Sequence, residues 1–200
     1  MWLYLASQSP RRAQLLEQIG VRYALLLPHA DEDAESLETV LPQEQPADYV
    51  QRVTGLKLEA ALQRWAQRGI EQAPILCADT TVALGDRILG KPSSAEEAFA
   101  MLRSLSDTQH TVYTAIAVGD PSTGQQLHAL SASQVWFDDL SDARIHAYIA
   151  TQEPFGKAGA YGVQGHAATL IARIEGSFSG IMGLPLFETA TLLRQLGWTL

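Results

Sequence analysis

The chain has one cysteine, three lysines and no apolar run of membrane-spanning length, and each shortage excludes something. A lone Cys77 rules out an intrachain disulfide, and its place in the apolar run 74–78 reads as a buried, inert thiol. No segment approaches the roughly 20 apolar residues that a membrane helix needs. The first residues also lack the basic-then-apolar layout of a secretory leader. The expectation is a cytoplasmic protein with no membrane partner. Basic charge is scarce as well: 14 Lys and Arg stand against 22 Asp and Glu, for a net charge of −8. That balance argues against a broad basic surface for nucleic acid. Only Lys57, Lys91 and Lys157 accompany eleven arginines. A compact ammonium suits point contact with phosphate oxygens, although each lysine could equally be an isolated surface residue. Neither a linker, a low-complexity tract nor an internal repeat interrupts the 200 residues. With 46% hydrophobic and 18% charged residues, they can bury a core as one domain spanning 1–200.

What is present begins at residues 3–12, Leu-Tyr-Leu-Ala-Ser-Gln-Ser-Pro-Arg-Arg. An apolar strand-like run stops at a small polar residue, Ser7. Ser9 then suits a helix N-cap and Pro10 the first helical position, where its missing N–H costs nothing. The arrangement aims backbone N–H groups and the guanidinium groups of Arg11 and Arg12 at a point beyond a strand end. Such a point suits an anion, phosphate above all. An ordinary strand–helix turn with two solvated arginines fits the same residues.

Further on, the pattern predicts a helix over 11–19 ended by Gly20, and a strand over 23–27. An acidic loop follows from Pro28 towards Pro46. It reads as a solvated connector, or as a strand-end carboxylate able to hold a divalent cation. Residues 47–68 form a long amphipathic helix carrying Arg52 and Lys57. A short buried strand over 75–78 runs into Asp79-Thr80, where a carboxylate is poorly placed unless liganded or hydrogen-bonded. A second run over 81–84 turns at Gly85-Asp86 into a hairpin partner over 87–89. Ser94 and Glu97 make a capping box for a helix through Ser104. Strands over 110–118 and 125–136 flank a turn over 119–124, and Ser141 caps a helix from 142 to about 151. Residues 153–165 form a glycine-dense loop whose backbone can approach a ligand closely. A strand over 168–175, a glycine-rich connection over 176–185 and a helix over 186–196 complete the chain. Strands and helices mix without strict alternation, which gives α/β with a mixed, twisted sheet flanked by helices.

Several of these segments together resemble the Maf proteins, a family of nucleoside triphosphate pyrophosphatases. They are Leu5-Ala6-Ser7-x-Ser9-Pro10-Arg11-Arg12-x-x-Leu15-Leu16, Ala78-Asp79-Thr80-x-Val82, Gly90-Lys91-Pro92, the run from Glu153 to Gly165 containing Lys157 and Gln164, and Gly183-Leu184-Pro185. The motifs occur in order over essentially the whole chain. The resemblance implies two lobes around a deep cleft, as in inosine triphosphatase-like folds, and an often dimeric assembly. It also implies hydrolysis of a nucleoside triphosphate to monophosphate and pyrophosphate with a divalent cation, Mg2+ or Mn2+. Asp-Thr after the central strand and Gln in the glycine-rich segment look like the dTTP/UTP-cleaving subfamily. A sibling preference for 7-methyl-GTP, or a nucleotide-binding role in septum formation, is the competing reading. The chain departs from the family pattern at Leu105-Ser106-Asp107, where Gly is usual at the third place, and at Ser177-Phe178-Ser179-Gly180.

By the same resemblance Asp79 is the proton acceptor, and Arg11, Thr80 and Gln164 select the base. Ser7, Arg12, Lys57, Lys91 and Lys157 form the phosphate-binding set, which a polyphosphate of high negative charge requires. Glu32 is the candidate metal ligand, with Asp79 sharing the ion. A planar Gln amide offers one donor and one acceptor, which matches the carbonyl and N–H edge of thymine or uracil.

Overall fold

The computed structural model describes every residue except 30, 31 and 33–35, so part of the acidic loop expected after Pro28 lies outside the described residues. The elements run β1 (Leu3–Leu5), α1 (Pro10–Gln18), β2 (Tyr23–Leu25), a 3-10 turn (Ser36–Glu38) and α2 (Pro46–Arg68). They continue as β3 (Ile75–Leu84), β4 (Arg87–Leu89), α3 (Ala95–Leu105), β5 (Gln109–Gly119), β6 (Gln126–Phe137) and α4 (Asp142–Ala150). Two 3-10 turns (Ala158–Ala160 and His166–Thr169), β7 (Ile171–Glu175), α5 (Phe178–Met182) and α6 (Leu186–Gln195) end the chain.

The strands form one mixed seven-stranded sheet in the order β2-β1-β3-β5-β6-β7, with β4 added on β3. β1 is parallel to both β2 and β3, and every other pairing is antiparallel. The parallel pair β1 and β2 needs a crossover, which α1 supplies; tight turns join β3 to β4 and β5 to β6, whereas α3 lies between β4 and β5 and α4 between β6 and β7.

The strand break expected at Asp79-Thr80 does not occur. β3 continues through it because β5 pairs with it residue for residue, from Ile75 opposite Gly119 to Ala83 opposite Thr111. Smaller corrections have local causes. β2 stops at Leu25, since its partner β1 ends at Leu5, whose carbonyl accepts from the Leu26 N–H as the last ladder bond. Residues expected at the start of the last strand form the 3-10 turn His166–Thr169 instead, and the strand begins at Ile171. The connection over 176–185 contains α5, capped by the Ser177 hydroxyl, which accepts from the Gly180 N–H at 2.9 Å. Half of the capping box forms: Ser94 accepts from the Glu97 N–H, whereas the Glu97 carboxylate turns to the N–H and hydroxyl of Ser93. Asp107, where the resemblance leads to an expectation of Gly, has φ +51°, a left-handed conformation that Gly adopts freely and Asp tolerates better than most residues.

α1 and α6 cover one face of the central strands, burying Leu5, Leu16, Leu76, Ile116 and Leu193 together. α2 covers the opposite face, with Leu58 and Ala61 against Tyr4, Ile75, Cys77 and Ala117. A second lobe gathers around α3 and α4, where Leu102, Leu105, Phe137, Ile145 and Tyr161 pack on the far ends of β3, β5 and β6. The three long strands β3, β5 and β6 pass through both lobes. Among the described residues no helix is long and apolar enough to cross a membrane.

Candidate active site

The cleft between the lobes starts from a gap in the sheet. One edge of β3 pairs with β1 at Ile75 and Leu76 and with β4 from Val82 to Leu84. Between these, residues 77–81 keep β5 as their partner on the other edge alone. A parallel strand that ends beside a continuing one leaves a crevice at its carboxyl end, and ligands of open α/β sheets bind at such places. The crevice has a volume of about 1310 Å³, and Ser7, Arg11, Arg12, Glu32, Glu38, Lys57, Asp79, Thr80, Lys91 and Lys157 all line it. Of the residues proposed from the sequence, Gln164 alone is not part of the lining. It is exposed, with its amide beside the Lys157 stem: a Cβ added at Gly162 would lie 3.6 Å from Gln164 Nε2 and 3.0 Å from Lys157 Cε.

At the centre, Asp79 is 8% exposed. Its Oδ1 accepts from Lys57 Nζ at 2.6 Å, and the same ammonium donates to Glu38 Oε1 at 2.7 Å. Lys91 Nζ closes the group by donating to Glu38 Oε2 at 3.1 Å. The buried carboxylate therefore has the partner its position demands. Burial works against the charge on Lys57, yet Asp79 and Glu38 more than compensate and raise its pKa. Burial likewise opposes the charge on Glu38, but Lys57 and Lys91 hold its carboxyl below the usual range.

A second wall is built on Arg12. Its Nε donates to the Gly183 carbonyl at 2.8 Å, one terminal nitrogen to Ser7 Oγ at 3.0 Å and the other to Thr80 Oγ1 at 3.4 Å. Thr80 Oγ1 lies 2.9 Å from Thr114 Oγ1, which donates to the Gly180 carbonyl. Ser9 is the N-cap of α1 with Pro10 next, but its hydroxyl makes no capping bond. Ser7 Oγ instead accepts from the Ser9 N–H. Arg11 is fixed by a bond from its Nε to the Met182 carbonyl at 3.3 Å. Burial lowers the pKa of both guanidinium groups. Lys157 is shifted the same way, first by burial and then by the nearby positive charge of Arg11. An ammonium depressed by a neighbouring guanidinium makes a site that an anion relieves.

The loop bearing Lys157 is held from beneath by Glu153. Its carboxylate accepts from Tyr148 Oη at 2.8 Å, the His166 N–H at 2.8 Å and the Ala167 N–H at 3.2 Å, and its carbonyl accepts from Lys157 Nζ. A Cβ at Gly165 would lie 2.1 Å from Glu153 Oε2, so a side chain there would displace the anchor. Tyr161 enters the lining from the same loop with its hydroxyl 2.8 Å from His110 Nε2, and burial pushes the Tyr161 pKa up.

Glu32 reaches the cleft, but its partner is Arg64 rather than Asp79. Arg64 Nη2 donates to Oε2 at 2.6 Å, while Nε contacts both carboxylate oxygens. Hydrogen bonds from Arg64 pull the Glu32 pKa down to about 2. Sequence reasoning missed Arg64, Thr114 and, above all, Glu38. No spacing links Glu38 to Lys57 or Lys91, and its one signal is membership of an acidic loop. Among the described residues, no group of three or more His, Cys, Asp or Glu could hold a metal by itself. Asp79 is nevertheless engaged by Lys57 through Oδ1 and Glu32 lines the same cleft, so the donor set fits a divalent cation that takes one or two carboxylates and draws its other oxygens from phosphate and water.

A family model described as Maf-like protein matches residues 2–196. A dTTP/UTP pyrophosphatase from Cupriavidus metallidurans is 62% identical over 195 residues, covering 98% of this chain and 96% of its own. One from Ralstonia nicotianae is 61% identical, covering 99% and 95%. One from Albidiferax ferrireducens is 58% identical, covering 98% of each. With a family match over nearly the full length and relatives at this identity, the chain belongs to the family of Maf-like proteins.

Proposed function

We propose that this chain is a nucleoside triphosphate pyrophosphatase that hydrolyses dTTP and UTP to the monophosphate and pyrophosphate. Relatives of that name align over nearly the whole chain. The observation that carries the reading is Asp79, a buried carboxylate in a cleft lined by Arg11, Arg12, Lys57, Lys91 and Lys157. Water attacks the α-phosphorus, the bond to the bridging oxygen of the β-phosphate breaks, and pyrophosphate leaves with that oxygen. Asp79 takes the proton of the attacking water. Its Oδ1 is engaged by Lys57, which leaves Oδ2 for the water. The cationic side chains hold the phosphates in line and offset the charge that builds on the leaving group. A divalent cation, Mg2+ or Mn2+, held by Asp79 with Glu32, would supply further charge neutralisation at the phosphates. Thr80, Arg11 and Gln164 read the base and sugar. We place the activity in the cytoplasm, with a nucleotide as the partner and neither nucleic acid nor membrane; a homodimer is the family expectation.

A nucleotide panel assayed for pyrophosphate release tests the reading. dTTP and UTP should be cleaved in preference to 7-methyl-GTP and the purine triphosphates. Asp79→Asn should lower turnover by about 10²–10⁴-fold while leaving the fold intact by circular dichroism. Preference for 7-methyl-GTP would refute the substrate assignment, and an Asp79→Asn enzyme of near-normal rate would refute the role of Asp79.

A further inference from the structure

Glu38 does something specific to two of the proposed phosphate-binding lysines. One carboxylate oxygen accepts from Lys57 at 2.7 Å and the other from Lys91 at 3.1 Å. These lysines come from different parts of the fold, α2 and the segment after β4, so one carboxylate bridges the two sides of the cleft. Two oxygens of one anion, each on a separate ammonium, is also how a phosphoryl group would meet this pair. The placement is built rather than incidental. The Tyr49 hydroxyl donates to the Glu38 carbonyl at 3.0 Å, and Arg52 donates to the neighbouring Thr39 carbonyl at 2.9 Å. Arg52 is itself fixed by both oxygens of Glu44, at 2.5 and 2.8 Å. The backbone around Glu38 is thus tied to α2, while its side chain extends into the cleft.

We propose that Lys57 and Lys91 form an exchangeable anion site in which the Glu38 carboxylate is the resident anion and a phosphoryl group of the polyphosphate displaces it. This rests on the hydrolase reading above and adds to it a residue that sets how tightly polyphosphate is held. Charge balance explains its use. Glu38 and Asp79 together match Lys57 and Lys91, so an incoming phosphoryl group must displace Glu38 before it can pair with both ammonium groups. The return of Glu38 then helps the product leave. Glu38 is a positioning residue in this scheme, since it touches the lysines and not the reacting atoms.

Inorganic pyrophosphate is the probe, titrated by calorimetry into wild type, Glu38→Gln and Glu38→Asp. Removing a charged competitor from two ion-pair hydrogen bonds should tighten pyrophosphate binding about ten-fold in Glu38→Gln, with Glu38→Asp close to wild type. In steady state, Glu38→Gln should show a lower KM for dTTP and stronger inhibition by added pyrophosphate. Unchanged or weaker pyrophosphate binding by a folded Glu38→Gln protein would overturn the proposal. So would a loss of kcat with pyrophosphate affinity unaltered, since that would place Glu38 in the reaction chemistry. Binding is read without turnover, so an inactive wild type would count against the hydrolase reading while the titrations still decide the exchange.

Discussion

Replacing Lys57 by Met removes the ammonium shared by Asp79 and Glu38 and leaves two carboxylates facing each other. The side chains of Lys57, Asp79 and Glu38 are 20%, 11% and 30% exposed. Breaking a fully buried ion pair costs about 3–5 kcal/mol, whereas an exposed pair contributes up to about 1 kcal/mol. Partial exposure at a cleft wall places Lys57→Met between these, at about 2–3 kcal/mol. For a chain of this size that lowers the melting temperature by about 5–10 °C. The pH dependence follows from the directions of the shifts. The Glu38 carboxyl is held below its ordinary 4.5, so its contribution is present above that value and fades as pH falls through the folded one. Lys57 is raised above 10.5, so its contribution is present below that value and fades only in stronger alkali. The penalty should therefore be full at pH 7.5 and shrink as the pH falls below 4.5 and the Glu38 carboxyl takes up its proton. Urea unfolding of wild type and variant at both pH values measures it. A variant as stable as wild type at pH 7.5, or a penalty equally large at pH 4, would refute the account of Lys57 as a counter-ion.

Two further outcomes concern the second lobe. Burial lowers the pKa of His110 to about 4, and its Nδ1 has no hydrogen-bond partner. As pH falls from 6.5 the unfolded chain takes the proton first, so wild type should lose up to about 3 kcal/mol by pH 4. His110→Gln should lack that part of the slope in denaturation curves across this range, and parallel slopes would count against it. Gly159 has φ +67° and a Cβ there would lie 2.8 Å from Val82 Cγ1. Gly159→Ala should cost about 2–4 kcal/mol through backbone strain and overpacking. In a double-mutant cycle, Val82→Ala should relieve only the part due to the two methyl groups, since the Val82 Cβ itself would lie 2.9 Å away, and a cycle with no coupling would locate the strain elsewhere.

The elements that could be read in the chain are those whose signal is local. α2 and α3 carry an apolar period and starting residues that differ from the structure by a residue or so, and Gly85-Asp86 turns β3 into β4 as expected. The opening Ser-Pro-Arg-Arg segment does start a helix beside a strand end. The continuity of β3 was hidden because Asp79 looks like a strand end until β5 pairs across it and Lys57 neutralises it. A buried charge is read from its partner, and that partner lies 22 residues away on another element.

The order of the motifs and the residue types in them were set by the amino-acid sequence alone, because covalent neighbours decide helix starts, turns and the chemical groups available. Tertiary structure decided which charges meet. It carried Lys57, Lys91 and Lys157 from three separate segments to one crevice, gave Glu32 to Arg64, and set Glu38 between two lysines. The physical reason is the gap that β1 and β4 leave along one edge of β3. Strand pairing over long separations creates that gap, and no local pattern in the chain records it.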